Sequence, residues 1–144
     1  MQVRDVLKSK SSKIISIAPE ASVADAIARL VQNNIGSLPI VDSQGCLIGI
    51  ISERDVLRGI HNHGERFQTM RVSELMTHEA VTCNLEADVN DVMGQMSERR
   101  IAKVPVLHDS TLVGIVSVGD VIKVMYDKVS SENQHLMSYI HGSM

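Results

Sequence analysis

The chain has 144 residues, a formal net charge of −3 and 44% hydrophobic residues, enough apolar material to bury a core in one compact domain or two small subdomains. A slight negative charge gives no general attraction to nucleic acid, and one Phe, two Tyr and no Trp provide no platform for stacking bases. No apolar run approaches the ~20 residues of a membrane span, and the opening M-Q-V-R-D-V-L-K-S-K lacks an apolar core with a small-residue cleavage site, so a cytoplasmic protein with neither a nucleic-acid nor a membrane partner is expected.

Taken in order, Val3 to Lys8 suits a short helix, and the basic, Ser-containing Lys8 to Lys13 a loop. A first strand is expected at Ile14 to Ile17, interrupted by Pro19. Ser22 with Asp25 reads as a capping box, and Val23, Ala26, Ile27, Leu30 and Val31 share one helical face that ends near Asn34. Leu38 to Val41 is the next strand, Asp42 to Gly45 a polar turn, and Cys46 to Ile51 a third strand running into a helix that opens at Ser52. The unit is β-α-β-β-α. The polar His61 to Gln68 breaks the periodicity and reads as a linker.

The pattern then starts again. Val72 to Met76 echoes Val3 to Leu7, and Val81-Thr82 echoes Ile15-Ser16. Asp88 with Asp91 is expected to cap a helix whose Val89, Val92, Met93 and Met96 repeat the earlier apolar face. Pro39 and Pro105 fall at equivalent places, and the turn at His108 to Thr111 is one residue shorter than its counterpart. The reading is an internal duplication: repeat 1 with its linker at 1–68, repeat 2 at 69–128 and a helical tail at 129–144. Units of roughly 60 residues are marginal alone, so two related by a pseudo-twofold are expected to bury their sheet faces together. In the tail, Val121, Val124, Met125 and Val129 prolong a stripe that Leu136, Tyr139 and Ile140 resume after a polar S-S-E-N-Q break. Packing on a partner subunit and packing back as a short buried tail both account for it.

The strongest correspondence lies at the strand-to-helix junctions, L-I-G-I-I-S-E-R-D-V-L from Leu47 and L-V-G-I-V-S-V-G-D-V-I from Leu112. Ser52 with Asp55 and Ser117 with Asp120 make S-x-x-D capping boxes. That role is structural, and it is also compatible with ligand binding. A helix N-terminus offers free N–H groups to a phosphate, and an adjacent Asp accepts hydrogen bonds from ribose hydroxyls.

The doubled V-x-x-h-M/L, capped helix, G/A-x-h-P strand and G-h-h-S-x-x-D resembles a tandem cystathionine-β-synthase (CBS) domain pair, the Bateman module, over Val3 to about Met125. The resemblance implies an α/β (α+β) pair of repeats, a flat homodimer, and two clefts between the repeats for adenosine ligands: AMP, ADP, ATP, and in some members NAD(H) or S-adenosylmethionine. It implies that one cleft sets Asp120 on a ribose and Ser117 with the Gly119 backbone by a phosphate, with backbone around Ile15, Ile35 and Gly36 facing the adenine. In the other cleft Asp55 would hold ribose, Ser52 and Arg54 phosphate, and Val81, Ile101 and Ala102 would frame the base. Ile35-Gly36-Ser37 corresponds to Ile101-Ala102-Lys103, and Arg54 to Gly119, so the clefts are expected to differ in charge. Lys103 is the chosen cation of the E-R-R-I-A-K run, whose other reading is a solvated helix end.

Nothing assigns catalysis. His61 and His63 form an H-x-H without further ligands at metal spacing. Cys46 and Cys83 fit buried free thiols. The expectation is a non-enzymatic adenine-nucleotide sensor with no required cofactor, a homodimer with an unidentified protein partner. The competing readings are a dimerisation module with vestigial clefts and a small metal-dependent enzyme.

Overall fold

The computed structural model describes residues 1–10 and 13–142, so part of the expected Lys8–Lys13 loop and the last two tail residues lie outside the described residues. The elements are α1 (Val3–Lys8), α2 (Val23–Asn33), β1 (Ser37–Val41), β2 (Leu47–Ser52), α3 (Glu53–His63), a 3₁₀ turn (Gly64–Thr69), α4 (Val72–Leu75), β3 (Cys83–Asn84), α5 (Val89–Arg99), β4 (Lys103–His108), β5 (Thr111–Ser117) and α6 (Val118–Gly142). The class is the α/β pair of repeats expected.

Local chemistry explains most boundaries. The Ser22 hydroxyl accepts the Asp25 N–H at 3.1 Å and starts α2. The helix ends on Asn34 in the left-handed region (φ 53°), with the Ile35 N–H returning to the Leu30 carbonyl at 3.0 Å. α5 ends the same way on Arg100 (φ 55°), its Ile101 N–H reaching the Met96 carbonyl at 2.9 Å. The helix-end reading of E-R-R is therefore the right one for Arg100. At the two hairpins, the Asp42 carboxylate takes the Gln44 and Cys46 amides at 2.9 Å, whereas Asp109 and Ser110 both adopt positive φ in the shorter turn.

Five expectations need correction. Residues 13–16 form no strand, because of this stretch Ile17 alone finds an extended neighbour, in a parallel bridge to Ile40, and Pro19 stops the pairing from running on beyond it. Val81-Thr82 is also irregular, the short strand falling at Cys83–Asn84. His61 and His63 belong not to a linker but to the last turn of α3, which runs on until Gly64 (φ 58°). Asp88 caps α5 through the Asn90 N–H at 2.7 Å rather than in a box with Asp91. Finally, α6 passes through S-S-E-N-Q without a break and residues 131–140 are exposed, Tyr139 at 80%, so the tail is not buried on its own chain. Ser, Glu, Asn and Gln are tolerated on a solvated helix.

Among the described residues the chain forms two compact units, one of 1–10, 83–104 and 115–142, the other of 13–82 and 105–114. They cut across the sequence repeats because the opening helices are exchanged. In the first unit α1 docks on the segment before α5: the Val3 and Arg4 amides reach the Ala87 and Leu85 carbonyls at 2.9 and 3.0 Å, and Val89 N–H returns to Met1. In the second, α4 docks on the segment before α2 through Val72 N–H to Ala21 at 2.8 Å, Ser73 N–H to Pro19, and Val23 N–H to Met70.

The second unit's core joins Ile17, Ala26, Leu30, Leu38, Ile40, Ile51 and Val72. There β1 and β2 pair antiparallel from Ser37 opposite Ser52 to Val41 opposite Leu47, with a bulge at Ile40/Val41. In the first unit Val3, Val6, Val89, Val92, Met96, Val104, Val116 and Val121 are buried.

Candidate functional site

Each β-strand that follows a hairpin delivers a Ser to the mouth of a helix. At the end of β2, the Ser52 hydroxyl accepts the Asp55 N–H at 3.3 Å while Asp55 Oδ2 accepts the Ser52 N–H at 2.9 Å and its hydroxyl at 3.1 Å. At the end of β5, Asp120 N–H donates to Ser117 Oγ and Ser117 N–H to Asp120 Oδ2, both at 3.0 Å. Both capping boxes form as the sequence indicates.

The loop before each hairpin completes its junction. The Glu53 N–H donates to the Gly36 carbonyl at 3.0 Å, and the Val118 N–H to the Ala102 carbonyl at 2.9 Å. First and third helical amides are thus consumed. The second-position amides, Arg54 and Gly119, have no hydrogen bond among the described residues, which leaves each helix one forward-pointing donor at its positive end.

Of the remaining sequence-selected residues, Ile35, Gly36 and Ser37 lie with Ser52, Arg54 and Asp55 in the second unit, Ser37 directly opposite Ser52. Ile15 and Val81 belong to the same unit, both half-buried, Ile15 against its core. Ile101, Ala102 and Lys103 lie with Ser117, Gly119 and Asp120 in the first unit, Lys103 half-buried at the start of β4. The structure therefore gathers each junction with the loop of its own repeat.

Two participants escaped the sequence. Thr77 Oγ1 donates to Asp55 Oδ1 at 3.2 Å, and Asp55 is 7% exposed. Lys10 Nζ donates to Asp120 Oδ2 at 2.8 Å and to the Ile115 carbonyl at 2.9 Å, with the side chains 28% and 24% exposed. Burial alone would raise the Asp120 carboxyl, but hydrogen bonds from Lys10 and with Ser117, together with the Lys10 charge, hold it below the ordinary carboxylate value. A pairing across 110 residues carries no local periodicity; the only signal was the basic run Lys8 to Lys13.

Among the described residues no three His, Cys, Asp or Glu group as a metal site, and no helix is long and apolar enough to cross a membrane. Both cysteines are free, and burial pushes the Cys83 thiol up to about 11, keeping it protonated at neutral pH.

Fold and junctions define a duplicated α/β module whose two helices open on a capped Ser-x-x-Asp. A model of the CBS domain matches residues 3–62 and again 72–127, and the chain belongs to that family. CBS pairs of this kind are typically regulatory. The chain is 34% identical over 148 residues to the mitochondrial CBS domain-containing protein CBSX3 of Arabidopsis thaliana, covering 97% of this chain and 72% of the relative. Among solved structures it is similar to the CBS-domain protein ATU1752 from Agrobacterium tumefaciens (TM-score 0.77, 30% identity, 87% of this chain and 99% of the other). It is also similar to the CBS pair of the protein MJ0100 in complex with 5′-methylthioadenosine and S-adenosyl-L-methionine (TM-score 0.73, 30% identity, 89% and 98%).

Proposed function

We propose that the chain is a non-enzymatic regulatory module that binds an adenosine-derived ligand (AMP, ADP, ATP, NAD(H) or S-adenosylmethionine) and changes conformation or dimer form on binding. The observation that carries this reading is the twin junction: a carboxylate, a Ser and one uncommitted helix amide, built identically at Ser52–Asp55 and Ser117–Asp120. A ribose diol suits the carboxylate, a phosphate suits the amide at the helix mouth, and the similar MJ0100 pair is known with two adenosine compounds. Ile15, Ile35, Gly36, Val81, Ile101 and Ala102 are assigned to the base, and Ser37, Arg54, Gly119 and Lys103 to the phosphate side. Ligand and partner responses are linked through a coupling of ~1–3 kcal/mol. Calorimetry of the nucleotide-free protein against AMP, ATP, NADH and S-adenosylmethionine tests it: binding that is lost in Asp120→Ala supports the assignment, and binding unchanged from wild type in both Asp55→Ala and Asp120→Ala overturns it. The proposed location is the cytoplasm, although the relative CBSX3 is mitochondrial; fractionation decides.

A second reading, dimerisation with vestigial ligand sites, is favoured by one feature of the second unit. Between α2 and α3 runs a groove of about 600 Å³ whose apolar lining is Ile27, Leu30, Val31, Ile35, Val56 and Leu57, with Asn34, Gly36 and Glu53 completing it, and with Val31 74% and Leu57 66% exposed. Apolar side chains so placed suit a homodimer or a protein partner. Sedimentation of wild type and Leu57→Glu discriminates: a dimer that dissociates in the variant, with no adenosine compound bound by wild type, supports this second reading.

A further inference from the structure

We propose that Lys10 determines the charge selectivity of the second junction, making it prefer a phosphorylated nucleotide over the corresponding neutral nucleoside. The inference rests on the nucleotide reading above and adds to it a residue outside the repeated motif.

The two junctions place the same carboxylate in opposite electrostatic settings. Asp55 receives its third partner from a neutral hydroxyl, Thr77 Oγ1 at 3.2 Å, so its full negative charge remains. Asp120 receives an ammonium, Lys10 Nζ at 2.8 Å. That ammonium is fixed in place: it also donates to the Ile115 carbonyl at 2.9 Å on β5. Its backbone follows directly from α1, with Lys10 N–H on the Leu7 carbonyl at 3.1 Å and α1 itself anchored on Leu85 and Ala87.

A phosphate drawn to the uncommitted Gly119 amide approaches within a few residues of the Asp120 carboxylate. Alone, that carboxylate would repel it. Paired with Lys10 it is close to neutral, and the helix amide and dipole then act unopposed. Partial burial of both side chains, 28% and 24% exposed, limits solvent screening of this effect. The carboxylate end of the site responds differently. Asp120 Oδ2 already accepts from Ser117 N–H and from Lys10, which fills its two lone pairs, so Lys10 competes with a ribose hydroxyl there. Competition weakens nucleoside and nucleotide alike, whereas charge compensation favours only the nucleotide. The ratio of the two affinities isolates the second effect.

The test is a titration of ¹⁵N-labelled protein with adenosine and with AMP, followed at the Gly119 amide, so that binding at the Arg54 amide is read separately. In Lys10→Met the AMP affinity at Gly119 is expected to fall relative to that of adenosine by about tenfold, equivalent to ~1.4 kcal/mol, and Lys10→Arg is expected to retain most of the preference. An unchanged ratio, or loss of preference in both Lys10→Met and Lys10→Arg with the amide spectrum otherwise intact, overturns the role of Lys10 while leaving the nucleotide reading in place. A wild-type Gly119 amide that responds to neither compound overturns the nucleotide reading of this junction and the role of Lys10 with it.

Discussion

The junctions at Ser52–Asp55 and Ser117–Asp120 are the same object locally and different objects in the folded chain. Both have the reciprocal cap and both take their first helical amide onto a loop carbonyl, Gly36 or Ala102. They part at the carboxylate's remaining partner, which is Thr77 on one side and Lys10 on the other. Those two residues stand just beyond the opening helices α4 and α1. A duplicated motif has thus been differentiated by what the preceding segments contribute, with its own capping residues unchanged.

The comparison can be broken hardest at Gly49. A Cβ there would lie 2.8 Å from Met76 Sδ and 2.9 Å from the Thr77 carbonyl, and the carbonyl is backbone that cannot rotate away. Gly49→Val is expected to cost about 3 kcal/mol in urea denaturation and to shift the Thr77 and Asp55 amides more than those of Ser117 and Asp120.

Next in size, Asp55→Ala removes the acceptor for Ser52 and Thr77 at a 7% exposed position and should cost ~2 kcal/mol. Asp120→Ala, at a more open site, should cost ~1 kcal/mol. Equal losses would show that burial and the third partner do not distinguish the junctions. Thr77→Val isolates that partner, with an expected loss of about 1 kcal/mol and no effect on the Ser117 cap.

The smallest effect is on acid stability. The folded Asp120 carboxyl lies below its ordinary 3.8, so the unfolded chain takes up the proton first as the pH falls. Its contribution is complete above the unfolded value and is lost as the pH drops toward the folded one. Lys10→Met removes part of the lowering, and its stability should vary less steeply as the pH falls below 3.8 than that of wild type.

Legibility from sequence tracked the range of each interaction. The capping serines, the helix stop at Asn34 and the turn at Asp42 were readable because each is settled within a few residues, and the duplication because both copies keep one spacing. The strand expected at 14–17 was not: β-branched residues suggest extension, but only Ile17 finds a neighbour, Ile40. The run His61 to Gln68 looked like a linker because polar residues hide helix on a solvated face, and only Gly64 stops α3. Of the site, the motif residues were legible, whereas Lys10 and Thr77, reaching across 110 and 22 residues, were not.

By itself the order of residues determined the two repeats, through their shared spacing, and the capped helix mouths with their pairing of Ser and Asp, since the caps depend on hydrogen bonds closed within a single turn. Tertiary structure alone decided that α1 docks beside α5 and α4 beside α2. It thereby brought an ammonium to one carboxylate and a hydroxyl to the other. A side chain's charge is written in the sequence, but the group it neutralises depends on where the packing of the core carries its backbone.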